Sequence, residues 1–153
     1  MARISSIVYK PKDQPHAPDS YLRVPLTSAQ LIANYGIEGD RKGGHPQRQL
    51  NIMSLEHVQQ LAREGFQAAP GQLGEQIIVE GLIVEALQAG SRLQIGAACV
   101  EIVKPRTGCD RFEHIHGKAR TLAAGRMGII ARVISGGAIH VGDTVALLQS
   151  IER

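Results

Sequence analysis

One segment, residues 105–112, places a cysteine between two arginines. Cys109 follows a strongly predicted strand, so we expect it in a loop at the end of that strand, with Arg106 and Arg111 close by. Nearby positive charge favours the thiolate over the thiol, which makes a cysteine a better nucleophile and a better persulfide carrier. The pattern predicts a reactive thiol, and the alternative is an inert small residue in a turn. Cys99 lies inside an alternating apolar strand and is predicted to pack.

A second segment, residues 36–45, is rich in glycine and carries positive charge. Four glycines in its first nine residues indicate irregular backbone. Such backbone can turn its N–H groups toward an anion, and Arg41, Lys42 and Arg48 supply cations nearby. The segment therefore predicts an anion-binding loop, and the alternative is a flexible surface turn. It is not a phosphate-binding P-loop, because the Gly-Lys-Ser/Thr ending is missing.

Two histidines, His114 and His116, follow the cysteine and give the spacing Cys-x4-His-x-His. This spacing matches no familiar zinc site, and a further ligand would have to come from afar, for example from His45. We therefore expect no metal site, and we expect one of the two histidines to line the pocket of Cys109 and tune its protonation. Glu75 precedes a buried strand and is either a pocket carboxylate or a solvated turn residue.

Short strands must position these segments. A helix is predicted over 55–64, with Ser54 as its N-cap. Glycine-containing turns predict two hairpins, one around residues 96–97 and one around residues 136–137. The predicted strands cover residues 2–9, 21–25, 31–35, 50–53, 77–79, 92–95, 98–104, 128–135, 138–141 and 144–148, with a loop over 10–20 and an ambiguous stretch over 82–88. Many short strands with one or two short helices predict a mainly β fold, either a small barrel or a strongly curved sheet.

Composition bounds the function classes. A chain of 153 residues with 43% hydrophobic and 20% charged residues suits one folded domain over 1–153 and excludes wholesale disorder. Aromatic residues make up 3%, which argues against a base-stacking surface. A net charge of +3 is too small to imply DNA binding without a clustered basic patch, and it suits a small anionic ligand equally well. No signal peptide or membrane span is visible, so we expect a cytoplasmic protein with free thiols and no membrane partner.

Several motifs, in chain order, resemble the MOSC domain, the C-terminal module of molybdenum-cofactor sulfurases. The resemblance runs from about residue 36 to residue 145. Two positions depart from the family pattern, because Gln76 stands where asparagine is usual and Gly108 stands where many members have proline. The matching motifs are residues 36–41 with 48–56, residues 71–77, residues 90–96 with 105–109, and residues 128–133 with 136–137 and 141–143.

The resemblance implies a β-barrel-like MOSC fold and a role in handling sulfur or binding the molybdenum cofactor, molybdopterin. It implies that Cys109 carries the sulfur and that Asp40, Arg41 and Arg48 help to form the pocket. Full sulfurases also carry an aminotransferase-like portion, associated with pyridoxal phosphate, that generates the persulfide. Nothing in these residues resembles that portion, so a separate sulfur donor such as a cysteine desulfurase is expected.

The leading hypothesis is a sulfur carrier or molybdenum-cofactor-binding protein. A persulfide on Cys109 would lie in a pocket made positive by Arg41, Arg48, Arg106 and Arg111, whose guanidinium groups also suit the phosphate of a pterin cofactor. One alternative is a molybdenum-dependent reductase of N-hydroxylated compounds, with the cysteine as metal ligand and an electron-transfer partner. The other is a non-catalytic module that binds a partner.

Overall fold

The computed structural model describes residues 1–13, 23–41, 43–46 and 48–149. Most of the predicted loop over 10–20 and the start of the predicted strand at 21 lie outside these residues. Within them the fold is mainly β, as predicted, with eleven strands and two short α-helices. Neither helix of the described chain reaches the length and apolar character that crossing a bilayer requires.

The strands are short and are spread along the whole described chain. They are β1 (Arg3–Tyr9), β2 (Val24–Leu26), β3 (Ser28–Ile32), β4 (Gly36–Ile37), β5 (Leu50–Ser54), β6 (Ile77–Glu80), β7 (Arg92–Ile95), β8 (Ala98–Pro105), β9 (Ile129–Ser135), β10 (Gly137–His140) and β11 (Val145–Gln149). The helices are α1 (Leu55–Arg63) and α2 (Asp110–His116), and two 3₁₀ turns cover Val84–Ala86 and Arg120–Ala123.

The strands form two sheets. The larger has eight strands in the order β11-β7-β8-β9-β5-β6-β1-β2, and the smaller has three in the order β10-β3-β4. Of the strand pairs described, only β5 and β6 run parallel, and α1 lies in the connection between them, as a parallel crossover requires. Pro25 lies in β2, an edge strand, where its missing N–H costs no ladder hydrogen bond.

The large sheet curls strongly but does not close into a barrel, because β11 and β2 remain its two edges. Its first and last parts still approach each other through one bridge, between Arg3 and Thr144. Backbone hydrogen bonds flank this bridge, from Ile4 N to Asp143 O at 2.9 Å and from Val145 N to Ala2 O at 3.0 Å. We call this contact the seam.

Two hydrophobic clusters lie on opposite faces of the large sheet. In β5 and β6, alternate residues point to opposite sides, so Ile52 and Ile77 join the main core while Met53 and Ile78 join a second, smaller cluster. The second cluster also contains residues of α1 and the fully buried Phe112 of α2. It therefore anchors both helices to the outer face of the sheet.

The predicted hairpin around residues 136–137 is wrong. Strand β9 ends just before Gly136 and β10 begins at Gly137, but β10 pairs with β3 in the small sheet and β9 pairs with β5 and β8 in the large one. The chain passes from one sheet to the other at this point. The hairpin around residues 96–97 is confirmed by the pairing of β7 with β8.

Three local predictions also need correction. Ser54 precedes α1, but its hydroxyl donates to Leu82 O or Glu85 and accepts from Val84 N, so it does not cap the helix. Helix α2 was not predicted at all, because it is too short for a helical period to show. The glycine-rich segment is not wholly irregular, since β4 at its start pairs with β3.

Candidate functional site

A cleft of about 540 Å³ opens where β8 ends and α2 begins. It is lined by residues that are far apart in the sequence and come together through the pairing of β5, β8 and β9. Among the described residues, no acidic side chain lines this cleft, and the charged side chains that do line it are cationic. The side chains that matter to its chemistry are those of Arg48, Asn51, Lys104, Arg106, Cys109 and Arg111.

Cys109 is the residue immediately before α2, and it is exposed. Its backbone is extended, with φ −132° and ψ 178°, and its carbonyl accepts the first helical hydrogen bond, from Glu113 N. The buried Phe112 holds α2 against the second core cluster. The prediction that Cys109 lies in a loop after a strand is therefore confirmed, with a helix following directly.

Arg106 is held in place at the cleft by hydrogen bonds to backbone carbonyl groups. One of its terminal nitrogens, Nη1, donates to Leu73 O at 2.7 Å and approaches Met127 O at 3.4 Å. Its backbone N–H donates to Gly128 O at 3.0 Å. The guanidinium group therefore has a defined position at the cleft instead of extending into solvent.

Asp40 is almost fully buried and does not line the cleft. Its Oδ1 accepts from Lys10 N at 2.9 Å, and its Oδ2 accepts from Gln76 Nε2 at 3.1 Å. The Gln76 Oε1 atom in turn accepts from Asn51 N at 2.6 Å, and Asn51 Nδ2 donates to Gly74 O at 3.2 Å. Asp40 therefore holds the glycine-rich loop to the strand that carries Asn51 into the cleft.

Arg41 lines a second cleft, of about 490 Å³, together with Gly43 and His45. Arg48 lines both clefts, so the two cavities meet at its side chain. Of the five predicted cofactor-binding residues, the structure thus brings Arg48, Arg106 and Arg111 to Cys109, and it places Arg41 in the adjoining cleft.

Neither predicted histidine lines the cleft of Cys109, so the expectation that one of them lines this pocket is wrong. His116 points to the opposite side of α2, where its ring packs 4.5 Å from the Phe112 ring and 5.6 Å from the Phe66 ring, centroid to centroid. Its Nε2 lies 3.1 Å from Gln72 O. Burial is the main cause that lowers the pKa of His116 below its ordinary value.

Glu75 is neither solvated nor part of the cleft lining. It is buried, and its Oε2 accepts from Gly71 N at 2.6 Å. Burial raises the pKa of this carboxyl, although hydrogen bonds from the turn oppose the shift. Among the described residues, no group of three or more His, Cys, Asp or Glu side chains is arranged to hold a metal ion.

The sequence analysis missed three residues at this site. Asn51 and Lys104 enter the cleft from strands whose pairing is not visible in a local pattern. Arg120 lies outside the cleft lining but donates to Gly108 O at 3.2 Å and to the carboxylates of Asp110 and Glu113. No sequence motif identifies this arginine. Its partners, a backbone carbonyl and two carboxylates next to Cys109, become visible only in the folded structure.

Solved structures from three bacteria have a similar fold. YiiM from Escherichia coli has 22% identity and a TM-score of 0.73, with 99% of this chain and 72% of that chain covered. YiiM from Geobacillus stearothermophilus has 20% identity and a TM-score of 0.74 over 97% and 76% of the two chains. The YuaD protein of Bacillus subtilis has 20% identity and a TM-score of 0.71 over 95% and 94%. At these identities the likeness shows a shared fold.

Sequence comparison gives a more specific result. No curated protein sequence matches the chain significantly. The sequence model of the MOSC domain, however, matches residues 39–146, which include the glycine-rich loop from Gly39, both clefts and Cys109. The chain therefore belongs to the MOSC domain family, which is associated with the molybdenum cofactor.

Proposed function

We propose that the protein carries sulfur as a persulfide on Cys109 and delivers it for the assembly of a metal–sulfur cofactor, within the molybdenum-cofactor chemistry of its family. The observation that carries this proposal is an exposed thiol in a cleft that, in the part of the chain the structure describes, is lined by four cations and no acid. Positive charge favours the thiolate, the form that attacks sulfur. Exposure lets a second protein present its own sulfur to the cleft.

The transfer is a thiol–persulfide exchange. The Cys109 thiolate attacks the terminal sulfur of a persulfide on a donor of the cysteine desulfurase class. A sulfur–sulfur bond forms on Cys109, the sulfur–sulfur bond of the donor breaks, and the donor cysteine leaves as a thiolate. The terminal sulfur keeps its proton and no external oxidant or reductant is consumed. The new persulfide then loses this proton to water, so the cationic cleft stabilises a thiolate before the step and an ionised persulfide after it.

The lining residues also fit the molybdenum cofactor. A pterin cofactor carries a phosphate, and planar guanidinium groups bind phosphate through paired hydrogen bonds, so Arg48, Arg106 and Arg111 would hold it. A cleft of about 540 Å³ lies within the usual range of ligand sites. When bound, the cofactor would supply a metal centre that accepts sulfur. Cys109 would face it, while Asn51 offers an amide for orientation.

The proposal is tested by loading the protein with sulfur. Purified protein is incubated with a cysteine desulfurase and cysteine, separated from both, and treated with cyanide, which releases persulfide sulfur as thiocyanate. We expect thiocyanate from the parent and from Cys99→Ala, and none from Cys109→Ser. The matched control uses the second cysteine of the chain, which is half-buried in β8. Equal loading of Cys109→Ser, or no loading of the parent, would contradict the proposal.

Cofactor content separates the two alternatives. Molybdenum and pterin that purify with the parent, and are lost in Cys109→Ser, would identify the reductase with the cysteine as metal ligand. The partner-binding module would be identified by a protein that takes up neither sulfur nor cofactor. Its Cys109→Ser variant would also have to replace the parent protein fully in cells that lack it.

A further inference from the structure

Arg120 contacts the chain on both sides of Cys109, although it does not line the cleft. Its Nη1 donates to Gly108 O at 3.2 Å, and its Nη2 donates to Asp110 Oδ1 and to Glu113 Oε1, the latter at 3.1 Å. Its backbone N–H donates to Glu113 Oε2 at 2.8 Å. One side chain therefore joins the residue before the cysteine, the residue after it and Glu113 in the first turn of α2.

The stem of Arg120 also packs against this segment. A Cβ atom added to Gly108 would lie 2.8 Å from Arg120 Cβ and 3.3 Å from Met127 Sδ. Real Cβ atoms do not approach other atoms as closely as 2.8 Å. Gly108 and Arg120 are therefore fitted to each other, and the backbone leading into Cys109 has little freedom to move.

The contacts have an electrostatic consequence as well. Asp110 and Glu113 are carboxylates within one helical turn of the Cys109 thiol. The cations that line the cleft around this thiol attract anions. Hydrogen bonds from Arg120 lower the pKa of Glu113, and the two carboxylates together raise the pKa of Arg120. Without the arginine, two uncompensated negative charges would stand beside the cleft and repel an anionic reactant.

We propose that Arg120 is a positioning residue that fixes the backbone around Cys109 and offsets one of the two negative charges of Asp110 and Glu113. The cleft then stays attractive to anionic sulfur and phosphate groups. The inference deepens the proposed function and rests on Cys109 being its reactive group. A structural role alone would leave the charge preference of the thiol unchanged, so that preference is the quantity to measure.

The experiment compares two alkylating reagents of similar size, anionic iodoacetate and neutral iodoacetamide, on Cys109 in a Cys99→Ala background. The ratio of the two rates reports the local potential and is independent of the fraction of thiolate. We expect Arg120→Gln to lower the iodoacetate-to-iodoacetamide ratio about threefold, the effect of one unit charge acting over ~7 Å in water. Adding Asp110→Asn to Arg120→Gln should restore much of the ratio.

Two further variants make the result decisive. Arg126→Gln removes an arginine that is paired with Glu64 and does not line the cleft, so it should leave the ratio unchanged. Asp110→Asn alone changes an almost fully exposed side chain, so it should fold even if Arg120→Gln does not, and it should raise the ratio. An unchanged ratio in Arg120→Gln, or in Asp110→Asn, would overturn the inference.

Alkylation needs neither a sulfur donor nor a cofactor. If the ratios behave as expected but Cys109 takes up no persulfide, the role of Arg120 stands and the sulfur-carrier proposal fails. If persulfide forms on Cys109 but the ratio does not respond, the sulfur-carrier proposal stands and the role of Arg120 fails.

Discussion

The two cysteines of this chain show how position decides the chemistry of a residue. Cys99 lies inside β8, opposite Gln94 on one neighbouring strand and Ser135 on the other, and it is half-buried. Cys109 lies a few residues beyond the end of the same strand and is exposed among cations. The same side chain is therefore half-buried within a sheet in one place and an exposed thiol at a cationic cleft in the other.

Gln76 is the central residue of the buried hydrogen-bond network below the cleft. Replacing it with leucine keeps the approximate shape but leaves Asp40 Oδ2 and Asn51 N without their partners. Each buried polar group left unpaired costs about 1–3 kcal/mol. We expect Gln76→Leu to lower the free energy of unfolding by roughly 2–4 kcal/mol, as measured by urea denaturation.

Gln72→Leu is the matched control, because the Gln72 side chain makes an exposed hydrogen bond, from Ala69 N. Its loss should change stability by less than about 1 kcal/mol. Equal stability of the two variants would mean that Asp40 Oδ2 and Asn51 N form other hydrogen bonds when Gln76 is replaced. The role of the network in joining the glycine-rich loop to the cleft would then be refuted.

Residues close to Cys109 in the sequence could be predicted, and residues brought there by folding could not. Arg106 and Arg111 lie within three positions of the thiol, so their charges were visible in the sequence. Lys104 is also near, but it belongs to the predicted strand and carried no separate signal. Asn51 depends on the pairing of β5 with β9, which no local pattern encodes.

At the scale of elements, strand periodicity predicted most of the strands but did not identify their partners. The pair Gly136-Gly137 has the composition of a hairpin turn. In the structure these glycines are needed for close approach, because an added Cβ would lie 2.5 Å from Leu31 O at Gly136 and 2.5 Å from Ala97 O at Gly137. The sequence shows that side chains are absent there but not which backbone fills the space.

Gly128 has a similar role at the start of β9. Its φ is +85°, and an added Cβ would lie 2.3 Å from Ile52 O on the neighbouring strand β5. Gly142 also has a positive φ, of +94°, but nothing lies within 4 Å of an added Cβ. The two positions therefore separate the cost of backbone conformation from the cost of a clash between strands.

We expect Gly142→Ala to lower the free energy of unfolding by about 1–2 kcal/mol, the cost of a left-handed conformation for an L-residue. Gly128→Ala adds overpacking to that cost, for a total of roughly 3 kcal/mol or more. Thermal or urea unfolding of the two variants measures the difference. Equal losses would mean that β9 can shift away from β5 without penalty.

At the scale of the whole molecule, the second core cluster connects the cleft to overall stability. Phe112 and His116 lie on α2, directly after Cys109, and both rings contact Phe66. His116 is the titratable member of this contact, and burial lowers its pKa. The unfolded chain therefore takes up the proton first when the pH falls below about 6.5.

The neutral form of His116 thus supports the fold fully above its ordinary pKa, and that support is lost as the pH falls toward the lower pKa of the folded chain. We expect the free energy of unfolding to decrease between about pH 7.5 and about pH 5.5. The decrease should be smaller in His116→Gln than in the parent. His114→Gln, which changes an exposed residue on the same helix, should keep the slope of the parent. Equal slopes in all three would exclude His116 as the cause.

The seam between the first residues of β1 and the segment before β11 carries a consequence for the order in which the molecule assembles. It joins parts near opposite ends of the described chain. Because closing so long a loop costs entropy, we expect this pairing to form after the intervening strands have brought both parts together. We therefore expect β1 to pair with β6 before its first residues meet the segment that precedes β11. The seam is then the last contact of the curled sheet to form.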